Sequence, residues 1–154
     1  MYKNVLIICA SFHHNNTFNV AKVLGDELNA KIMQPGEFNV ETISEYDLIG
    51  FGSGIYNGVH HKSIFNLIEE LKVQNHKHAF VFSTSTIPLK TMHKSLKESL
   101  TKKGFDIIGE FYCKGFMDYS FTKYLGGLNR GRPNTNDLEK ARVFARKINN
   151  TNTE

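Results

Sequence analysis

The chain has 154 residues, a formal net charge of +4 at pH 7 and 40% apolar residues, the profile of a single soluble domain with a buried core. Its longest apolar run, Val5–Ala10, is far too short to span a bilayer, and no RNP, zinc-finger or basic-arm pattern points to nucleic acid. Two distant cysteines, Cys9 and Cys113, with no leader-like segment ahead of them, lead to the expectation of reduced thiols in a cytoplasmic protein.

Val5–Ala10 is almost continuously apolar, which predicts a strand buried on both faces. It runs into a polar cluster, "SFHHNNT", with Ser11, His13, His14, Asn15, Asn16 and Thr17. A helical stripe follows at Ala21, Leu24 and Leu28. Capping by Asn16 or Thr17 explains one of these polar residues. The whole cluster is better explained by an anion at the helix N-terminus, where unpaired N–H groups and partial positive charge coincide. Lys31–Met33 is a short edge strand. Leu48–Gly52 is the third strand, and "GSGIYNGVHHKS" follows it as a glycine-rich loop with Tyr56 in its middle and the turn pair Asn57–Gly58.

Ile64, Ile68 and Leu71 form the second helical stripe, and Ala79–Ser83 the fourth strand. A third polar loop, "STSTIP", spans Ser83–Pro88. The next stripe takes Leu89, Met92, Leu96 and Leu100, and Ile107–Cys113 is the fifth strand. "GGLNRGRPN", Gly126–Asn134, is a candidate lid ahead of a last helix with Leu138, Ala141, Ala145 and Ile148 inward. The alternation of strands and helices argues a doubly wound α/β domain over residues 1–149, with 150–154 as a frayed tail. No G-x-x-x-x-G-K-[ST] and no G-x-G-x-x-G follows the first strand, so neither a P-loop nor a dinucleotide fingerprint is present. The pairs His13–His14 and His60–His61 have no carboxylate or cysteine at ligand spacing, and no metal is expected.

With these loops in place the chain resembles the flavodoxin family over nearly its whole length. The resemblance rests on "SFHHNNT", "YDLIGFGSGIYNGVHHKS", "FVFSTST", and "FYCKGF" followed by "GGLNRGRPNTNDLEKARVFA". It implies a five-stranded parallel sheet of order 2-1-3-4-5 in an α/β/α sandwich. It also implies ligand binding beyond the carboxyl ends of the strands, a rule that flavodoxin itself illustrates. The cofactor it implies is noncovalent FMN. The phosphate would be held by Ser11, Asn15, Asn16 and Thr17 with help from His13. The ring would lie between Ser53, Gly54, Ile55, Tyr56, Asn57 and Gly58 on one side and Ser83, Thr84, Ser85 and Thr86 on the other. Tyr56 would stack on it, and the Asn57–Gly58 peptide would flip when the flavin gains a proton.

The chain departs from the family's acidic electron carriers in being basic and in having no aromatic between Ser83 and Met92. The rim candidates are His60, His61, Lys62, Lys114, Arg130 and Arg132, and cations there would favour an anionic reduced flavin and raise its potential. Arg130 and Arg132 could receive an anionic substrate, His60 or His61 could donate a proton, and Lys114 could activate Cys113, which reads first as a small buried residue at a strand end. The expected function is redox chemistry through FMN, as a carrier or as a small reductase. Its partners would be an electron donor and acceptor, with NAD(P)H or a small anionic acceptor as candidates. The alternative is a non-redox module for a phosphorylated ligand or a protein partner. Tyr56, Asn57 and Gly58 together favour the first reading.

Overall fold

Apolar runs with no alternation can be satisfied only by a sheet covered on both faces, and the computed structural model has that form. It describes residues 1–12, 15–116, 126–127 and 129–152. The strands are β1 (Val5–Ala10), β2 (Lys31–Met33), β3 (Leu48–Tyr56), β4 (Val59–His60), β5 (Lys77–Ser85) and β6 (Phe105–Lys114). The helices are α1 (Asn16–Leu28), α2 (Lys62–Glu70), α3 (Lys94–Lys102) and α4 (Thr135–Thr151). The five long-range strands are parallel in the order β2-β1-β3-β5-β6, which is the expected 2-1-3-4-5 once the small β4 is set aside.

Each sheet face carries its own core. Ile7, Cys9, Phe80 and Phe82 pack against Val20 and Leu24 of α1 and Ala141 and Ala145 of α4. Leu6, Ile8, Phe51 and Val81 pack against Ile64 and Ile68 of α2 and Leu96 and Leu100 of α3. Two glycines make room for the largest of these side chains. Gly50 and Gly52 of β3 face Phe80 and Phe82 of β5 in register. A Cβ on either would lie 2.3 Å from a phenyl carbon, so these rings occupy the space a side chain would need.

The structure corrects the sequence reading in three places. β3 does not stop at Gly52 but runs on to Tyr56 and turns back antiparallel into β4, so the second loop is a β-hairpin. The third helical stripe is out of phase: Leu89 is 50% exposed, whereas His93 is fully buried at 0%. Its inward face is therefore His93, Leu96 and Leu100, with Lys90–His93 a single 3-10 turn ahead of α3. Finally, α4 reaches Thr151, into the stretch expected to fray. Among the described residues no helix is long and apolar enough to cross a membrane.

Candidate functional site

All five parallel strands end at one edge of the sheet, and the crossovers start their helices there. That edge gathers the "SFHHNNT" turn, the β3–β4 hairpin, the end of β5 and the segment after β6. His13 and His14 lie outside the described residues. The remaining predicted residues do come together, but most of their side chains build the site's frame.

At the start of α1, Asn15 is left-handed at φ 52°, and its own side chain makes no cap hydrogen bond. Capping by Asn16 or Thr17, the simple explanation for the cluster, does not occur. The Asn16 amide donates 2.7 Å to the Phe116 carbonyl, which fixes the segment after β6. Thr17 is buried at 2% and shares a 2.8 Å hydrogen bond with Thr84 at the end of β5. Ser11 Oγ accepts the Phe18 N–H at 3.3 Å, which leaves its own O–H free to donate. The side chains of Asn16 and Thr17 are thus committed to the protein, and of the first backbone N–H groups of α1 that of Phe18 goes to Ser11 while those of Asn16 and Thr17 have no partner among the described residues.

The hairpin is clamped from inside. Ser53 is fully buried; its hydroxyl donates to the Gly54 carbonyl at 2.6 Å and accepts the His61 N–H at 2.9 Å. It is a structural stitch. Ile55 pairs with His60 and Tyr56 with Val59, so Asn57–Gly58 closes a two-residue turn with φ 51° and 82°. Positive φ at both positions marks a type I′ turn, which the right-handed strand twist favours. Flipping the central peptide of such a turn drives its first residue toward backbone angles reserved for glycine, and that residue is Asn57. The flip implied by the resemblance is therefore opposed by the turn. Tyr56 lies along Gly54, where a Cβ would touch its ring at 3.4 Å. The His61 ring packs between Tyr56, 5.2 Å away, and Phe12, 4.6 Å away. His61 Nδ1 accepts from the Ser63 N–H at 3.1 Å and so caps α2 as a neutral imidazole. A cavity of about 540 Å³ opens beside this group, lined by Phe12, Tyr56, Val59, His61, Lys62 and Phe65 among others.

On the β5 side Thr84 is taken up by Thr17, and the Thr86 carbonyl accepts from the Asn129 amide at 2.8 Å. Ser85 Oγ is buried with no hydrogen-bond partner. A hydroxyl of this kind costs free energy unless something supplies a partner. Asn129 also reaches the Gly115 carbonyl at 3.3 Å, so the candidate lid is tethered to the ends of β5 and β6. Arg132 is not available to a substrate. It grips Asp137 through two bonds of 2.5 and 2.6 Å, and these help hold the Asp137 carboxyl below the usual range although burial pushes it up. Arg130 is exposed, with no ion-pair partner among the described residues.

Burial closes two roles that the sequence left open. Burial pushes the Cys113 thiol up to about 12, and Arg132 opposes this only in part, so the cysteine is an inert core residue despite Lys114. His60 is 2% exposed. Its Nε2 lies 3.0 Å from the Phe82 carbonyl, which can only accept, so Nε2 carries the proton and Nδ1 is a buried lone pair without a partner. Burial, then the nearby His93, lower its pKa to about 3, so His60 stays neutral and has no proton to spare for a ligand.

Sequence reasoning missed the polar cluster beneath the hairpin. His93 Nε2 lies 2.7 Å from Ser83 Oγ and its Nδ1 lies 3.0 Å from Glu110. The carboxylate accepts from Nδ1–H, so Nε2 accepts the Ser83 proton and the chain has one polarity. Burial would raise the Glu110 carboxyl, yet the bonds from His93 and Lys97 hold it below its ordinary value. Ser83, predicted as a ring contact, is thus the inner end of this chain and holds the end of β5 against α3. No local pattern pairs residues 83, 93 and 110; the one available signal was the spacing of His93 with Leu96 and Leu100.

A helix start with two unpartnered N–H groups, a tight hairpin and an orphaned hydroxyl on one sheet edge suit a flat ligand bearing a phosphate. Comparisons with known proteins agree in fold. The chain is 50% identical over 145 residues to an uncharacterized protein of Methanocaldococcus jannaschii, covering 93% of this chain and 96% of the relative. It superposes on a flavodoxin from the domain Archaea with a TM-score of 0.73 at 12% identity, covering 97% of this chain and 98% of the other. Oxidised flavodoxin 2 from Bacillus cereus gives the same TM-score, 0.73, at 17% identity, over 97% and 99% of the two chains. A family model described as a flavodoxin domain matches residues 6–121, and the chain belongs to the flavodoxin family.

Proposed function

We propose that this protein binds FMN noncovalently at the carboxyl edge of its sheet and serves cytoplasmic redox chemistry, as an electron carrier or a small reductase. The observation that carries this reading is the start of α1, whose first two N–H groups have no partner among the described residues while the Asn16 and Thr17 side chains are bonded to Phe116 and Thr84. The backbone N–H groups of Asn16 and Thr17 and the Ser11 hydroxyl would hold the phosphate, because each is a donor with no acceptor to lose among the described residues. The hairpin from Gly54 to Gly58 and the β5 end from Ser83 to Thr86 would flank the ring. Ser85 Oγ would find its missing partner there. FMN supplies the electron-accepting and electron-donating chemistry; the chain's residues bind and orient it. Lys62, Lys114 and Arg130 are exposed cations of the same edge, so the reduced, anionic form of the cofactor should be favoured and its potential raised relative to acidic carriers.

The test is a visible absorption spectrum before and after FMN is added, followed by NADH and NADPH oxidation with and without an acceptor. Two flavin bands that shift and sharpen with the protein are the expected result. Turnover of either nicotinamide then identifies a reductase, and its absence a carrier. A protein that leaves the FMN spectrum unchanged would contradict the proposal and leave a phosphate-binding fold of the alternative, non-redox kind.

A further inference from the structure

Large apolar side chains are exposed at the site edge, and they are accompanied by cations that nothing in the described structure neutralises. Phe12 is 55% exposed, Val59 36%, Ile87 65% and Leu89 50%. Phe12 follows the end of β1, Ile87 and Leu89 follow the end of β5, and Val59 lies in β4 of the hairpin that extends β3, so the parallel sheet brings them to one side of the molecule. The segments that bear them and open the helices there carry Lys62, Lys90, Lys94, Lys97, Arg130 and Arg132. Against these, Asp137 is the carboxylate found among their described residues, and it is committed to Arg132. Glu110, from within β6, takes Lys90 at 3.6 Å and Lys97 at 3.3 Å. Lys62, Lys94 and Arg130 are exposed without a carboxylate partner among the described residues, as is Lys114 at the end of β6. Four helix N-termini point to the same side and add to its positive field.

We propose that this edge is the docking surface for an acidic electron-transfer protein, an inference that rests on the redox reading above. The pattern of exposed apolar groups with unpaired charge around them is that of a protein interface, whose centre is apolar and whose rim is polar. Charge complementarity selects a partner with a carboxylate-rich face and steers its approach. A free small anion would cover one or two cations and leave Phe12, Ile87 and Leu89 in water. A nucleic acid would neutralise the cations and leave the same aliphatic groups uncovered. The cavity of about 540 Å³ between Phe12 and Phe65 is an indentation, suited to a protruding side chain and not to the flat surface of a bilayer.

The experiment uses the full chain with FMN added and two probes, an acidic plant-type [2Fe–2S] ferredoxin and the basic cytochrome c. Binding is measured by isothermal titration calorimetry at low and at physiological salt. The acidic probe should bind, about tenfold or more weakly as salt rises, and cytochrome c should not. The combined variant Lys62→Glu, Lys94→Glu, Lys114→Glu and Arg130→Glu should lose the acidic probe, and Ile87→Ser with Leu89→Ser should weaken it severalfold at either salt. Circular dichroism verifies that both variants fold. Undiminished binding of the acidic probe by the charge-reversed variant would overturn the proposal. So would tighter binding of phosphatidylglycerol vesicles or of a single-stranded oligonucleotide at matched salt. FMN binding without binding of the acidic probe would sink the docking surface alone; binding of the acidic probe without FMN would sink the redox reading and leave the surface.

Discussion

His60, one of two histidines that the sequence offers as a possible proton donor, behaves as a core residue in the fold. Its Nε2–H is given to the Phe82 carbonyl and its ring is shut away from water. The consequence is a pH-dependent stability whose sign follows from proton counting. An unfolded histidine takes up a proton near pH 6.5, but His60 in the fold resists until about pH 3. Between those values the unfolded chain binds more protons, so stability is full above about pH 6.5 and falls as pH drops toward 3, by on the order of a few kcal/mol. His60→Gln keeps a donor for the carbonyl without a titrating group. Urea midpoints between pH 7 and 4 should therefore fall less steeply in the variant than in the wild type, with His93, also lowered by burial, accounting for the slope that is left. The cysteines follow the same logic. Burial pushes Cys9 and Cys113 each up to about 12, so iodoacetamide at pH 8 should label neither until denaturant is added. Rapid labelling of Cys113 in the native protein would show that Lys114 activates it after all.

Strand ends show where the sequence is legible and where it is not. β1 and β2 appear at their expected bounds because apolar runs between polar residues leave no other register. β3 was read too short because Ser53 and Gly54 are poor strand formers; the hydrogen bonds of Ser53 to Gly54 and His61 keep it extended. Asn57–Gly58 was recognisable as a turn, but β4 is two residues long and carries no period of its own. The ties of Asn16 to Phe116 and of Asn129 to Thr86 join segments distant in sequence, and short-range patterning does not contain them. Gly52 reads in the sequence as part of a glycine-rich ligand loop, but it and Gly50 make room for Phe82 and Phe80, which fill the space above them. Gly52→Ala should cost roughly 1–3 kcal/mol or more, because the phenyl ring has nowhere to move. Gly36→Ala, with nothing within 4 Å of its Cβ, is the control and should be near neutral in the same denaturation assay. Equal midpoints for the two variants would contradict the packing described for β3 and β5.

The molecule as a whole separates its tasks between the two ends of one sheet. Cores on both faces hold the strands rigid, and the carboxyl edge collects uncapped N–H groups, exposed cations and exposed apolar side chains. Family membership and this edge together support an FMN protein, while the positive field separates it from acidic carriers of the same fold. The polar cluster after β1 is the feature on which the reading turns: among its described residues, Ser11, Asn16 and Thr17 bond within the protein through their side chains, and the N–H groups of Asn16 and Thr17 are left as donors. The most direct measurement compares FMN with riboflavin, which has the same ring and no phosphate, by quenching of flavin fluorescence. FMN should quench at one equivalent, and riboflavin should bind at least about a hundredfold more weakly, as loss of several charge-assisted hydrogen bonds requires. Equal affinity for the two would show that no phosphate is held at the start of α1, and absence of quenching by either would show that the edge does not hold a flavin.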